Sequence, residues 1–536
     1  MVCNMKNFKY VSLFKTFTVL VSVFFILGFL WMVRDPIARP FYIDELVYCG
    51  QYLYALLLTN CQFLSGEWFW SVDSKQPLLF WIYELAYEIF PESVSDGPQF
   101  LIVMPRILSA CFIFLTPLLG YFLVRTKNKH IIHLLGTYLI FLSSPFLLIH
   151  AQLAIVEPLL VFNFMLAILS LHLYVTKDSL TNLALLCFAN FLLIMTKSNG
   201  LIVICGMAMV STLFSFFFNR ENRAYRKAAN IQIIFLIAGY LFITLSPSIN
   251  KEAGILFSAS GLNLNRFYFQ LQTQVALAAY YLSYISIFIF IVGAGILLLN
   301  RKRSFASNEF SPLMNKDYIF IICVLLATSL ISIVLCSVGL KGDIPRYYIF
   351  SFLPLLVVSS ILFSYLIESF NEILKSKWIR LSFLTCFICL MFFDVFSISP
   401  IFYGHKGNSP RIPAADKRQY FDVFSWETFR GIEDYILRNN AEIYAPIPPY
   451  METPIITVMI GVREAQKRLK VLPGSIEGVN KISCDPRYDT SLILAGSSFF
   501  QKDKHLKLTG LTKIREYQPG ISKDGFAITL YKKKCE

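Results

Sequence analysis

Charged side chains make up only 15% of this 536-residue chain, so any chemistry it performs rests on few residues. Four groups have types and spacings suited to reaction. Asp44 and Glu45 are adjacent in Tyr42-Ile43-Asp44-Glu45. Paired carboxylates supply a general base beside a metal-binding or hydrogen-bonding group, although an Asp there also reads as the N-cap of a solvated helix. Lys75 stands two residues before Pro77 in Lys75-Gln76-Pro77-Leu78-Leu79-Phe80-Trp81. A lysine at a helix start beside lipid headgroups binds phosphate as a point charge, or simply snorkels to the interface. His150 and Glu157 share the stretch from His150 to Leu159, where Glu157 precedes Pro158. A carboxylate entering an apolar helix is costly unless used or paired, though the helix dipole favours it. Arg346, Tyr347 and Tyr348 follow Pro345. A guanidinium fork and phenol hydroxyls at a helix start bind phosphate oxygens, or anchor the helix at the interface.

The elements that carry these groups are apolar. Hydrophobic residues make up 56% of the chain, with 51 Phe, which excludes a purely soluble protein and a disordered one. Runs near 20 residues are long enough to cross a bilayer core of about 30 Å. The pattern predicts about eleven spans, near 14–33, 101–124, 131–149, 153–175, 180–195, 200–218, 231–247, 274–299, 318–338, 347–367 and 380–398. With the N-terminus inside, the basic stretches 125–129, 220–227, 301–303 and 375–380 and Lys177 all fall in cytoplasmic loops, as the positive-inside rule requires. The net charge of +14 therefore belongs to membrane topology, and nucleic acid is not an expected partner. The four groups above all fall on the outer side. The first apolar run ends in Trp31-Met32-Val33-Arg34, without a small-residue cleavage site, and reads as a retained span.

Near residue 400 the long apolar runs stop. A helical pattern over 426–439 is followed by short β-like runs at 455–460, 469–472, 491–494 and 526–531. The expected division is a transmembrane catalytic domain over 1–400 and a small outer-face α/β domain over 401–536. The C-terminal domain contains no phosphate loop, dinucleotide fingerprint or zinc spacing. Most cysteines sit in apolar runs as small hydrophobes. Cys49 with Cys61, and Cys484 with Cys535, are left open as disulfides on the outer side.

Taken as a series, these motifs resemble the GT-C membrane glycosyltransferases, in the branch of protein O-mannosyltransferases and the lipid A aminoarabinose transferase. The resemblance covers about residues 15–370. It rests on Asp44-Glu45, Gly66-Glu67-Trp68, the Lys75 to Trp81 motif, Arg106 opening the second span, Glu157-Pro158-Leu159, Thr196-Lys197-Ser198-Asn199-Gly200, and Arg346-Tyr347 with Pro354. It departs at Val47-Tyr48, where the aminoarabinose branch often carries Arg-Tyr, and at Ser74, where that branch often carries a glutamate that is a proposed metal ligand.

The resemblance implies a mainly α GT-C fold. It implies transfer of one sugar, with inversion, from a polyprenyl-phosphate donor in the membrane to a lipid A, other envelope-glycan or protein acceptor. Asp44 is then the general base, with Glu45 and Glu157 ordering the pocket or holding the acceptor. Lys75, Arg346, Tyr347, Tyr348 and Tyr48 would bind the donor phosphate. Arg106 and His150 would support the site, Arg106 by pairing with a carboxylate. No organic cofactor is called for, and a divalent metal ion near Asp44, Glu45 or His150 is left open. The expected location is a bacterial inner membrane, N-terminus cytoplasmic and C-terminal domain periplasmic, with the endoplasmic reticulum as alternative. Other readings are a polyprenyl-linked glycan ligase or polymerase, and a lipid or glycolipid transporter.

Overall fold

The computed structural model describes residues 2–34, 77–89, 98–124, 131–218, 223–246, 264–304, 316–339, 348–374, 376–397, 434–435 and 437–439. In the C-terminal segment it also describes the strands 441–446, 469–472, 490–496, 511–517 and 528–533. The helices are α1 (Val2–Val33), α2 (Leu78–Ile89), α3 (Pro98–Leu123), α4 (Ile131–Leu142), α5 (Pro145–His150), α6 (Glu157–Thr176) and α7 (Leu180–Thr196). They continue as α8 (Gly200–Leu213), running into a π-turn at Phe214–Phe218, then α9 (Arg223–Leu245), α10 (Leu264–Tyr281), α11 (Tyr284–Ser304), α12 (Lys316–Gly339), α13 (Ile349–Ile373) and α14 (Lys377–Ser397). Among the described residues, 8 helices are long and apolar enough to cross a membrane, and α4 and α7 are shorter apolar helices. The protein is a multi-pass membrane protein.

Three expected spans differ in detail. The segment 131–149 is two helices, because Ser143 and Ser144 interrupt α4 ahead of Pro145, the first residue of α5. The segment 153–175 turns helical only at Glu157, with Pro158 in the first turn, where its missing N–H costs nothing. The segment 274–299 is α10 and α11 meeting at 101°.

That break is satisfied by side chains, as an apolar surrounding demands. The Ser144 hydroxyl donates to the Tyr281 carbonyl at 2.7 Å. The first amides of α11, Tyr284 and Ile285, donate to the Asp394 carboxylate at 2.8 Å each. Asp394 lies on α14 and is fully buried. It thus closes the N-terminus of another helix.

The core is built around α13, whose residues are apolar on almost every side and enclosed accordingly. It packs on α4, α11 and α12. Close approach is set by glycine: a Cβ on Gly136 would lie 1.9 Å from the Phe363 ring, and one on Gly206 would lie 2.3 Å from the Thr328 hydroxyl oxygen. Small residues at helix crossings are the usual device in membranes, where hydrophobic driving force between helices is absent. Hydroxyls within spans are absorbed by the preceding turn, as in Thr18 to Phe14 O and Thr137 to His133 O.

The C-terminal strands are β1 (Ala441–Pro446), β2 (Leu469–Leu472), β3 (Thr490–Gly496), β4 (Leu511–Tyr517) and β5 (Ile528–Lys533). They form one mixed sheet in the order β2-β1-β3-β5-β4. β1 runs parallel to β2 and β3, with Ile443 opposite Leu469 and Leu492. β5 runs antiparallel to β3 and β4. The expected runs at 469–472, 491–494 and 526–531 fall on β2, β3 and β5; the run at 455–460 lies outside the described residues.

Candidate active site

His150, Glu157, Lys197 and Tyr348 lie at helix ends. Phe112 of α3 meets Phe162 of α6 at 5.6 Å between ring centres, and further along Gly120 approaches Met165. The two helices therefore run in the same direction. Arg106 is buried. α7 runs back beside α6 and ends at Thr196, and α8 restarts at Gly200.

The turn between α7 and α8 aims Lys197 at Glu157. The Lys197 Nζ lies 2.7 Å from Glu157 Oε1, with the side chains 10% and 0% exposed. A lysine between two apolar helices reaches this carboxylate because the chain reverses tightly. The Gly200 amide donates to Lys197 O at 2.8 Å, and a Cβ on Gly200 would stand 2.6 Å from the Leu193 carbonyl oxygen. Only glycine lets α8 begin so close to the end of α7. Asn163 Nδ2 donates to Thr196 Oγ1 at 2.7 Å, tying α6 to α7 one residue before the lysine. The dipole of α6 adds positive potential at Glu157, in its first turn.

His150 closes α5. Its ring stacks on Phe146 with centres 3.7 Å apart, and Nδ1 lies 2.8 Å from Phe146 O. A carbonyl only accepts, so Nδ1 carries the proton and Nε2 is the ring's other polar atom. His150 and Glu157 also interact electrostatically. The carboxylate thus lies within the field of an imidazole and beside an ammonium, in buried surroundings where such interactions are strong.

Tyr348 precedes α13 and is fully buried. Its hydroxyl donates to Gln270 Oε1 of α10. Ser351 Oγ donates to Gln274 Oε1 at 2.8 Å, and Gln274 Nε2 donates to Ser337 Oγ at 2.7 Å. These bonds lace α10 across the start of α13 and the end of α12.

Asp44, Glu45, Tyr48, Lys75, Arg346 and Tyr347 lie outside the described residues. Of the expected site residues, the structure places His150 and Glu157 together, Arg106 buried within α3, and Tyr348 in the α10–α13 contact. Lys197 appeared in the sequence only as part of a Thr-Lys-x-x-Gly turn. Its signal was the one available, a lone cation between two apolar runs. Gln270 and Gln274 had none, since an uncharged amide in a long run looks like a tolerated polar residue. Among the described residues, no group of three or more His, Cys, Asp or Glu could hold a metal ion.

This helical bundle has a GT-C-like fold. The chain is similar to ArnT from Cupriavidus metallidurans, whose crystal structures in the apo state and bound to undecaprenyl phosphate each match with a TM-score of 0.52 and 13% sequence identity. Both matches cover 95% of this chain and 97% of that one. The archaeal oligosaccharyltransferase AglB from Archaeoglobus fulgidus, solved with an inhibitory peptide and a dolichol-phosphate, matches at 0.45 and 12%, covering 85% of this chain and 64% of that one. No family model matches the chain, and no curated protein matches it in sequence.

Proposed function

We propose that this protein is a membrane glycosyltransferase that moves a single sugar from a polyprenyl-phosphate donor to an acceptor at the outer face of a bacterial inner membrane. Fold alone does not carry function. The observation that carries the reading is the buried Glu157–Lys197 pair. It joins two motifs of the GT-C series that are 40 residues apart in sequence. The ArnT likeness over 95% of the chain is consistent with it.

In this reading the leaving group is a phosphate ester anion, already a weak base, so no strong general acid is needed. Charge developing on its oxygens is met by Lys75 and Arg346, helped by Tyr347, Tyr348 or Tyr48. One such contact is worth about 10²–10³ in rate. Asp44 takes the proton from an acceptor hydroxyl, a role worth about 10²–10⁴. If the acceptor is itself a phosphate, Asp44 orients it. Glu45 and Glu157, supported by His150 and Arg106, order the pocket. The C-terminal segment from 401 faces outward in this topology and helps select the acceptor.

The test compares cells carrying wild-type protein with cells carrying Asp44→Asn at equal expression, by mass spectrometry of lipid A, whole lipopolysaccharide and membrane glycoproteins. The expected result is a one-sugar mass increment lost in the variant, which also identifies the acceptor. Identical spectra in every fraction would remove Asp44 as base and favour a transporter.

A further inference from the structure

Among the described side chains, Glu157 is bound at one oxygen only. Oε1 meets Lys197 at 2.7 Å, while Oε2 is buried and has no hydrogen-bond partner among the described residues. A fully buried carboxylate oxygen without a donor is costly, and such groups are rare in native proteins. The carboxylate also interacts with the backbone amide of Glu157 itself, but no described side chain donates to Oε2. His150 commits Nδ1 to its own helix, and Nε2 makes no bond to Oε2.

The charges decide what fits. An ionised carboxylate only accepts hydrogen bonds, so Oε2 needs an O–H or N–H donor. A phosphate oxygen is excluded, because it too is an acceptor and carries negative charge. A second cation is not called for, since Lys197 already balances Glu157. The remaining class is a neutral hydroxyl. Its source in a glycosyl transferase is the sugar, whose ring carries several.

We propose that Oε2 of Glu157 is a sugar-recognition point, accepting a hydrogen bond from a hydroxyl of the donor's glycosyl group while Lys197 fixes the carboxylate through Oε1. This rests on the donor reading above. It separates the labour at the site: the phosphate is read by cations from the outer loops, and the sugar by a carboxylate locked between α6 and α7. A carboxylate held by an ion pair and two helix ends has one orientation, so it discriminates hydroxyl position and not merely polarity.

The test measures binding by native mass spectrometry of the full chain in detergent. The probes are polyprenyl phosphate and the same lipid carrying glucose, mannose or a pentose. Wild-type protein is expected to bind at least one sugar-bearing lipid about tenfold or more tightly than the bare phosphate. The double variant Glu157→Gln/Lys197→Met removes the ion pair without stranding a charge. It is expected to bind bare polyprenyl phosphate as wild type does and to lose the preference. Lys197→Met alone, which keeps the carboxylate but frees its orientation, is expected to retain part of it. Wild type binding the bare phosphate and preferring none of the sugar lipids would overturn the inference, leaving Oε2 to water. So would a double variant that keeps the preference. Binding of none of the four lipids would instead overturn the donor reading on which the inference rests.

Discussion

Glu157 and Lys197 are stable only together. Each alone would be a buried charge in apolar surroundings, and breaking such a pair typically costs about 3–5 kcal/mol. Glu157→Ala is therefore expected to lower the melting temperature in detergent sharply, by stranding Lys197. Glu157→Gln with Lys197→Met should melt much nearer wild type. Additive losses in the double variant would show that the two side chains do not act as a pair. At the other end of α6 the contrast is instructive. Asp178 Oδ2 accepts from Lys227 Nζ at 2.7 Å, but this pair is exposed. The hydrogen bond from Lys227 holds the Asp178 carboxyl below its ordinary value of 3.8. A depressed carboxyl contributes stability above its unfolded value and loses it as pH falls through the folded value. Asp178→Asn should accordingly lower the melting temperature slightly at pH 7 in low salt. The difference should vanish both below the depressed value and in about 0.5 M salt, where exposed pairs are screened. A difference that persists at high salt would contradict this account.

At the scale of elements, the break between α10 and α11 is the feature with the most at stake. Its backbone groups are satisfied by Ser144 and Asp394, from two other helices. Asp394→Ala removes the acceptor from two amides, of which that of Ile285 is buried and costs about 1–3 kcal/mol to leave unpaired. Asp394→Asn keeps one acceptor and should cost less. Hydrogen exchange over 284–287 checks the locality of the effect: it should quicken there first, and uniform quickening would show a different role. This break also marks where the sequence misleads. Continuous apolarity over 274–299 predicts one span, since hydropathy registers composition and not direction. The bend depends on a carboxylate more than a hundred residues away, at Asp394, which periodicity cannot reveal. Where the local pattern carries the cause, reading succeeds: Pro158 marks the start of α6, and short apolar runs bounded by turns mark β2, β3 and β5. The same division holds at the site. Glu157 was legible because a carboxylate entering an apolar run demands a reason. Its partner was not, because Lys197 reaches it only through a reversal that Gly200 permits.

At the scale of the whole molecule, a GT-C-like bundle, a buried ion pair at helix ends and the outer-loop groups combine in one proposed activity. It is tested most directly by donor turnover. Purified protein in liposomes, supplied with polyprenyl-phosphate sugars and an envelope extract as acceptor, is assayed for release of polyprenyl phosphate. Wild-type protein is predicted to release it together with a glycosylated acceptor. Lys75→Ala should be slower by about 10²–10³ and Asp44→Asn by about 10²–10⁴. Sugar lipid that crosses the bilayer intact, with no polyprenyl phosphate released by any variant, would contradict the account and identify a transporter.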